Sequence, residues 1–248
     1  GVLYWKLTQD CPQGDFKELR ANGVEVGSGK KGGVAILMQA AHNYRVWILF
    51  VSYAACFGIE IFIHNIAAMY YVDHFNMGLK EAGLTAGIFG LLALFARALG
   101  GIVSDKVAIS KGLDGRTKVL FILILCEGLF LILFSQMNTV ALAIISMTVF
   151  ALFTHMSCGA TYALVPFIDR NALGGVAGII GAGGNVGAVA AGFLLKGLLD
   201  VQTCLMILGG LVTVAAFGVI LIRFSVEHKT KEQQLFDQAV LERNSITS

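Results

Sequence analysis

The chain has 248 residues, of which 56% are hydrophobic and 14% charged, and a mean hydropathy of +0.76, whereas a soluble domain carries about 25% charged residues. That composition excludes an ordinary soluble domain. The formal net charge of +2 excludes the dense basic surface that a nucleic-acid partner needs.

In chain order, residues 1–45 are polar and rich in glycine, as in Gly27-Ser28-Gly29-Lys30-Lys31-Gly32-Gly33, and read as a flexible cytoplasmic linker. The chain opens at Gly1, and the apolar stretch 33–41 lacks the length and cleavage pattern of a signal peptide. A fragment of a longer protein is therefore expected. A membrane-crossing helix needs about 20 mostly apolar residues with all backbone bonds made internally. Six segments meet that condition, at 46–71, 82–103, 118–134, 140–166, 173–199 and 203–223. The expected fold is all-α, with a six-helix transmembrane bundle over 46–223 and a polar tail over 224–248 that is either disordered or a short surface helix.

The basic residues set an orientation. One set of flanks holds Lys6, Lys17, Arg20, Lys30, Lys31 and Arg45, then Lys106, Lys111, Arg116 and Lys118, then Arg170, and last Arg223, Lys229, Lys231 and Arg243; the other holds Lys80 and Lys196. Both termini are predicted to be cytoplasmic, with the loops around His74, Gln136 and Asp200 outside. Of the five cysteines, Cys56, Cys126, Cys158 and Cys204 lie within apolar runs and Cys11 does not. Their spacing suggests neither a disulfide nor a metal site, so the four read as small core residues. No cofactor is expected.

Charges inside the spans carry the chemical signal. Arg97 lies in Leu94-Phe95-Ala96-Arg97-Ala98-Leu99, where insertion costs at least about 2.5–3.5 kcal/mol, so it should face a cavity or a partner. A guanidinium offers two parallel N–H donors to a planar oxyanion such as nitrate, nitrite or a carboxylate. The competing reading is a snorkelling arginine, or one paired with Glu60 or Glu127. Tyr53, Phe57, Glu60 and His64 fall at helical spacing on one face. On that face Glu60 is a candidate proton carrier or a structural partner of Arg97. Glu127 needs a partner or water, and His155 reads as a packing residue. In the fifth span Gly174, Gly178, Gly181, Asn185, Ala188 and Gly192 recur at three- and four-residue steps, which predicts one close-packed stripe. Gly100-Gly101 followed by Asp105 and the basic Arg116 predicts a tight solvated turn.

That last run resembles the glycine-aspartate-basic signature after the second helix of each half in the major facilitator superfamily, here stretched by the insertion 107–114. Asn43-Tyr44-Arg45-Val46-Trp47 leading into Gly58-Ile59-Glu60 resembles the seventh helix of plant and algal high-affinity nitrate transporters. Cys158-Gly159-Ala160-Thr161 with Leu164-Val165-Pro166-Phe167 resembles their tenth, and Gly181-Ala182-Gly183-Gly184-Asn185-Val186-Gly187 the nitrate signature of their eleventh. Ala98 departs from the plant pattern, which commonly has proline there. The resemblance, to the nitrate/nitrite porter family, implies helices seven to twelve of a twelve-helix transporter that takes up nitrate and nitrite with protons by alternating access.

On that resemblance Arg97 binds the anion, Tyr53, Phe57, Gly184 and Asn185 line its site, and Glu60 with His64 are the proton-coupling candidates. Gly101, Asp105, Arg116, Gly181, Gly183 and Gly187 belong to gating and structural motifs. The implied partners are nitrate or nitrite, protons, membrane lipid, the N-terminal six-helix half with its second arginine, and a small accessory membrane protein that some plant relatives need; the implied location is the plasma membrane. The alternatives are a nitrate/nitrite exchanger, a facilitator of another small anion, and a membrane-embedded enzyme or channel subunit. The enzyme reading calls for clustered histidines or paired carboxylates, and the five histidines are scattered.

Overall fold

The computed structural model describes residues 8, 14–23, 33–197 and 200–247. Lys6, Cys11, Lys30, Lys31 and the run from Gly27 to Gly32, all assigned above to the linker, lie outside the described residues, as does Leu199 at the end of the fifth expected span. All regular structure among the described residues is helical: α1 Phe16–Ala21, α2 Gly33–Ala41, α3 Tyr44–Phe75, α4 Leu79–Ser135, α5 Val140–Leu164, α6 Leu173–Lys196, α7 Val201–Val219 and α8 Val226–Thr247. Five of them, α3 to α7, are long and apolar enough to cross a membrane. Their outward faces carry Leu84, Leu94, Phe95, Val189, Phe193 and Val214, all more than half exposed, as expected where the surroundings are lipid.

The helix ends follow from local chemistry. Asn43 caps α3, its Oδ1 accepting from the Arg45 backbone N–H at 3.1 Å, and Asn76 ends it in the left-handed conformation at φ 52°. Asp200 caps α7 through the Thr203 N–H at 2.9 Å.

At 57 residues, α4 would reach about 86 Å if straight, against a hydrocarbon layer of about 30 Å. It is not straight. Gly112 takes φ 56° and ψ −146°, a conformation essentially confined to glycine, and the chain folds back there. Arg116 Nη1 lies 3.5 Å from Ser104 Oγ and 2.5 Å from Asp105 Oδ1, whereas twelve residues of continuous helix would separate positions 104 and 116 by about 18 Å. The turn expected straight after Gly100-Gly101 is therefore displaced. The helix runs on to Lys111, and the basic end of the motif returns to its acidic end through the reversal.

Backbone-to-backbone contacts join the helices. A Cβ on Gly100 would collide with the Met156 carbonyl, and one on Gly159 with the Arg97 carbonyl, so α4 and α5 touch directly beneath Arg97. Along α6 a Cβ at Gly183 would strike the Phe50 carbonyl and one at Gly187 the Ala54 carbonyl, while Gly58 of α3 lies against the Gly187 backbone. The stripe expected from Gly174, Gly178, Gly181, Asn185, Ala188 and Gly192 is not this seam. Gly174, Gly178 and Gly192 have open space around them, and Asn185 is exposed. With glycine or alanine at so many positions, two faces of α6 satisfy the same spacing, and only the partner's shape selects between them.

Two flanking segments are more ordered than their composition implies. Residues 33–41, assigned to a flexible linker, form α2, whose Ile36 carbonyl and Ala40 lie against Gly175 of α6. The tail forms α8, the surface-helix alternative. It is tied to the fold-back end by Lys229 Nζ to Asp114 Oδ2 at 2.6 Å, Arg170 to both carboxylate oxygens of Glu232 at 2.9 and 2.5 Å, and His228 Nε2 to the Phe167 carbonyl at 3.0 Å.

Candidate anion site

The middle of α3 is not a regular helix. Ala54–Gly58 form a π turn, which holds one residue more than an α turn and recurs at functional sites. The turn sits against Gly184 and Gly187 of α6, where a side chain would displace Phe57 or Tyr53 or meet the backbone. Tyr53 and Phe57 stack with ring centroids 5.0 Å apart and planes 10° from parallel, and Tyr162 of α5 meets Tyr53 edge-on at 5.0 Å. The Arg97 guanidinium carbon lies 5.3 Å over the Phe57 ring, a cation–π contact.

Glu60 follows one turn later and is 5% exposed. Arg97 Nη2 donates to both of its oxygens at 2.6 Å, so the carboxylate occupies a single guanidinium nitrogen. The Arg97 Nε atom is buried and has no partner. A buried N–H without a bond is costly, and here it belongs to a permanent cation. An oxyanion is the chemical complement of that free donor edge.

The remaining contacts of Glu60 come from α5. The Cys158 thiol donates to Oε2 at 3.6 Å, and His155 Nδ1 lies 3.2 Å from the same oxygen. His155 has no exposed surface, and its Nε2 lies 2.9 Å from the Phe89 carbonyl. Glu127, on the second arm of α4, is fully buried near Thr154 and Ser157, with no hydrogen bond to either carboxyl oxygen.

The structure therefore brings together Arg97, Glu60, Phe57, Tyr53 and Gly184. His64 is elsewhere: its Nδ1 lies 2.9 Å from the Glu60 backbone carbonyl and its ring packs edge-on against Phe89. Asn185 is exposed on α6, Gly181 faces the Tyr162 hydroxyl, and Gly101 has open space around it. Asp105 and Arg116 form the ion pair across the reversal, and Arg116 stacks over Phe167 at 4.8 Å. Sequence reasoning passed over Tyr162, and read Cys158 as a small core residue and His155 as a packing residue. The one signal available for His155 was its burial in a span, and that is shared by any packing histidine.

Ionisable residues within membrane-spanning helices mark paths for ions or substrates, and the Arg97–Glu60 pair is such a feature. The chain belongs to the Major Facilitator Superfamily, whose profile matches residues 31–246, a family of transporters and not of enzymes. It is 40% identical to the high affinity nitrate transporter 2.5 of Arabidopsis thaliana over 182 residues, which cover 73% of this chain and 36% of that protein. It is 38% identical to nitrate transporter 2.2 of Chlamydomonas reinhardtii over 181 residues, 72% and 35% of the two chains. To the nitrate/nitrite transporter NrtP of Picosynechococcus sp. it is 30% identical over 149 residues, 59% and 27%. The chain thus spans about a third of the length of these relatives.

Proposed function

We propose that this chain is the C-terminal half of a nitrate transporter, moving nitrate and nitrite inward with protons by alternating access. The two arms of α4 on either side of Gly112 count as separate spans in this reading, giving six with α3, α5, α6 and α7. The basic flanks support cytoplasmic termini, and uptake from outside the cell calls for a plasma-membrane location. The exposed face of α6, with Asn185, Val186 and Val189, is the surface that the N-terminal half covers, so that Asn185 borders the anion from the seam between halves.

The observation that carries the reading is the unpartnered Nε–H of Arg97 beside the Phe57 ring. The names of the relatives supply the choice of anion. A negative interior opposes entry of a monovalent anion by about 2.3 kcal/mol per 100 mV, so uptake against it needs a cation as companion. Glu60 supplies a place for one: when an anion takes the guanidinium donors, the carboxylate loses its counter-charge and accepts a proton. Nitrate and proton thereby favour each other's binding.

Arg97→Lys in the full-length polypeptide tests the site, because lysine keeps the charge and removes the fork. Tracer nitrate uptake falls to background at unchanged surface expression. Uptake equal to wild type would remove Arg97 from the site. Tracer nitrate uptake recorded at two external pH values separates proton symport, which acid stimulates, from nitrate/nitrite exchange, which carries no proton.

A further inference from the structure

Between the reversal in α4 and the tail helix α8 lies a cavity of about 640 Å³, within the range of small-molecule pockets. Its lining includes Ile109 and Lys111 from the first arm of α4, Arg116 from the second, Phe167, and Phe236 from α8. None of these residues belongs to the anion site. The other charges at its wall are paired: Arg116 meets Asp105, Lys229 meets Asp114 and Glu232 meets Arg170. Lys111 is exposed and has no ion-pair partner among the described residues. The wall therefore carries one unbalanced positive charge beside apolar side chains.

The cavity lies at the depth of lipid headgroups. Near it the expected spans end at 103, begin again at 118 and end at 166, and the lining residues Asp105, Arg116 and Phe167 stand one or two residues beyond those ends. Two residues of helix cover about 3 Å, while the headgroup layer adds about 5–8 Å to each side of the hydrocarbon. An apolar track leads from the cavity into the membrane. Ile109, Ile102 and Phe95 follow one another at seven-residue steps along α4 and are 69%, 48% and 68% exposed. At about 100° per residue they fall about 120–160° around the axis from Arg97, on the side turned away from the anion site.

We propose that this cavity holds the headgroup of one anionic phospholipid of the cytoplasmic leaflet. Its phosphate diester, a monoanion, pairs with Lys111, and its acyl chains descend past Ile109 along Ile102 and Phe95. The inference goes beyond the transport reading, since no residue of the anion site takes part, and rests only on placing the fold-back end at the cytoplasmic face. A zwitterionic lipid would bring its own cation to a wall that is already positive. A free phosphate would leave Ile109 and Phe236 against water. The lipid satisfies both the charge and the apolar lip, and basic pockets on the cytoplasmic side of membrane proteins take anionic headgroups. Once bound it bridges α4 and α8, adding to the hold of the Lys229–Asp114 pair.

Native mass spectrometry of the full-length polypeptide, offered phosphatidylglycerol and phosphatidylcholine in equal amounts, tests this. The wild type is expected to retain one phosphatidylglycerol. Lys111→Gln, a change at an exposed position, should retain it about fivefold less, the equivalent of about 1 kcal/mol per basic residue at an anionic surface. Lys80→Gln, at the other end of the first arm of α4, should retain it like the wild type. Equal retention by wild type and Lys111→Gln, or an equal loss in Lys80→Gln, overturns the proposal. Excess inorganic phosphate or glycerophosphoglycerol, which has the headgroup without the chains, should not displace the lipid. Displacement by either assigns the cavity to a soluble phosphate and overturns the lipid. A second measurement needs no variant: phosphatidylglycerol should slow proteolysis of α8 in the wild type where phosphatidylcholine does not, and equal cleavage in the two lipids overturns the bridge between α4 and α8.

Discussion

Two regions of the molecule use the same residue types to opposite ends. In the interior, Glu60 is sealed between Arg97, His155 and Cys158 and is held by backbone contacts at Gly58, Gly100, Gly159 and Gly187. At the fold-back end, Asp105–Arg116, Arg170–Glu232 and Lys229–Asp114 each leave at least one partner more than a third exposed; Arg97 is likewise 39% exposed, and what sets the inner pair apart is a carboxylate that also meets His155 and Cys158. An exposed pair gains about 0–1 kcal/mol and is screened by salt. A buried pair whose partner is removed loses about 3–5 kcal/mol, because a bare charge stays behind. The contrast teaches that the charges inside are poorly suited to stabilising the fold and well suited to being exchanged.

The comparison is tested hardest at Glu60. Glu60→Gln leaves the guanidinium without its counter-charge and should lower stability by about 3 kcal/mol, the lower end for a buried pair because Arg97 is 39% exposed, read as a fall in Tm of the full-length protein in detergent. A Tm within a degree or two of wild type would mean that water already screens the pair. Next comes the seam that closes the interior. Gly187→Ala drives a methyl into the Ala54 carbonyl and should cost about 3 kcal/mol, the upper end for overpacking, whereas Gly192→Ala, compared in this chain made without its N-terminal half, meets open space and should express like the parent chain. Equal behaviour of the two variants in fluorescence-detected gel filtration would contradict the assigned face of α6.

At the other end, Gly112→Ala imposes a side chain on φ 56° and should cost about 1–3 kcal/mol, with a thermal shift smaller than that of Glu60→Gln. The smallest effect belongs to Glu232. The hydrogen bond from Arg170 holds its carboxyl below the usual carboxylate range. A carboxyl with a depressed folded value contributes its stabilisation in full above the unfolded value of about 4.3 and loses it as pH falls through the lower folded value. Limited proteolysis should therefore find α8 protected at pH 5 and released only in stronger acid. Glu232→Gln should loosen α8 by about 1 kcal/mol or less at pH 7, with salt reducing the difference.

How far the sequence could be read depended on what each residue type permits. Hydropathy placed the ends of the apolar helices within about four residues, because a bilayer imposes one length on every crossing, except at the reversal, where the second expected span stops at 103 and the helix runs on to 111. Arg97, Glu60, Tyr53 and Phe57 were legible because charges and aromatics are conspicuous in such runs. The face of α6 was not, since small residues on both of its sides meet the same spacing. The reversal at Gly112 was placed too early, since a glycine pair looks like a turn whether it serves one or, as Gly100 does, admits a neighbouring carbonyl. His155, read as a packing residue, is fully buried with Nε2 2.9 Å from the Phe89 carbonyl, a partner on another helix that spacing along its own helix does not reveal.

The π turn at Ala54–Gly58 gives α3 a property that a plain helix lacks. Each residue advances an α-helix by about 100° around its axis. If the surplus residue of that turn is handed along the chain past Glu60, the segment in between is cranked by about that angle relative to Tyr53. One peptide's worth of rearrangement, with no helix unfolded, would swing the carboxylate out of reach of Arg97 and His155 and back.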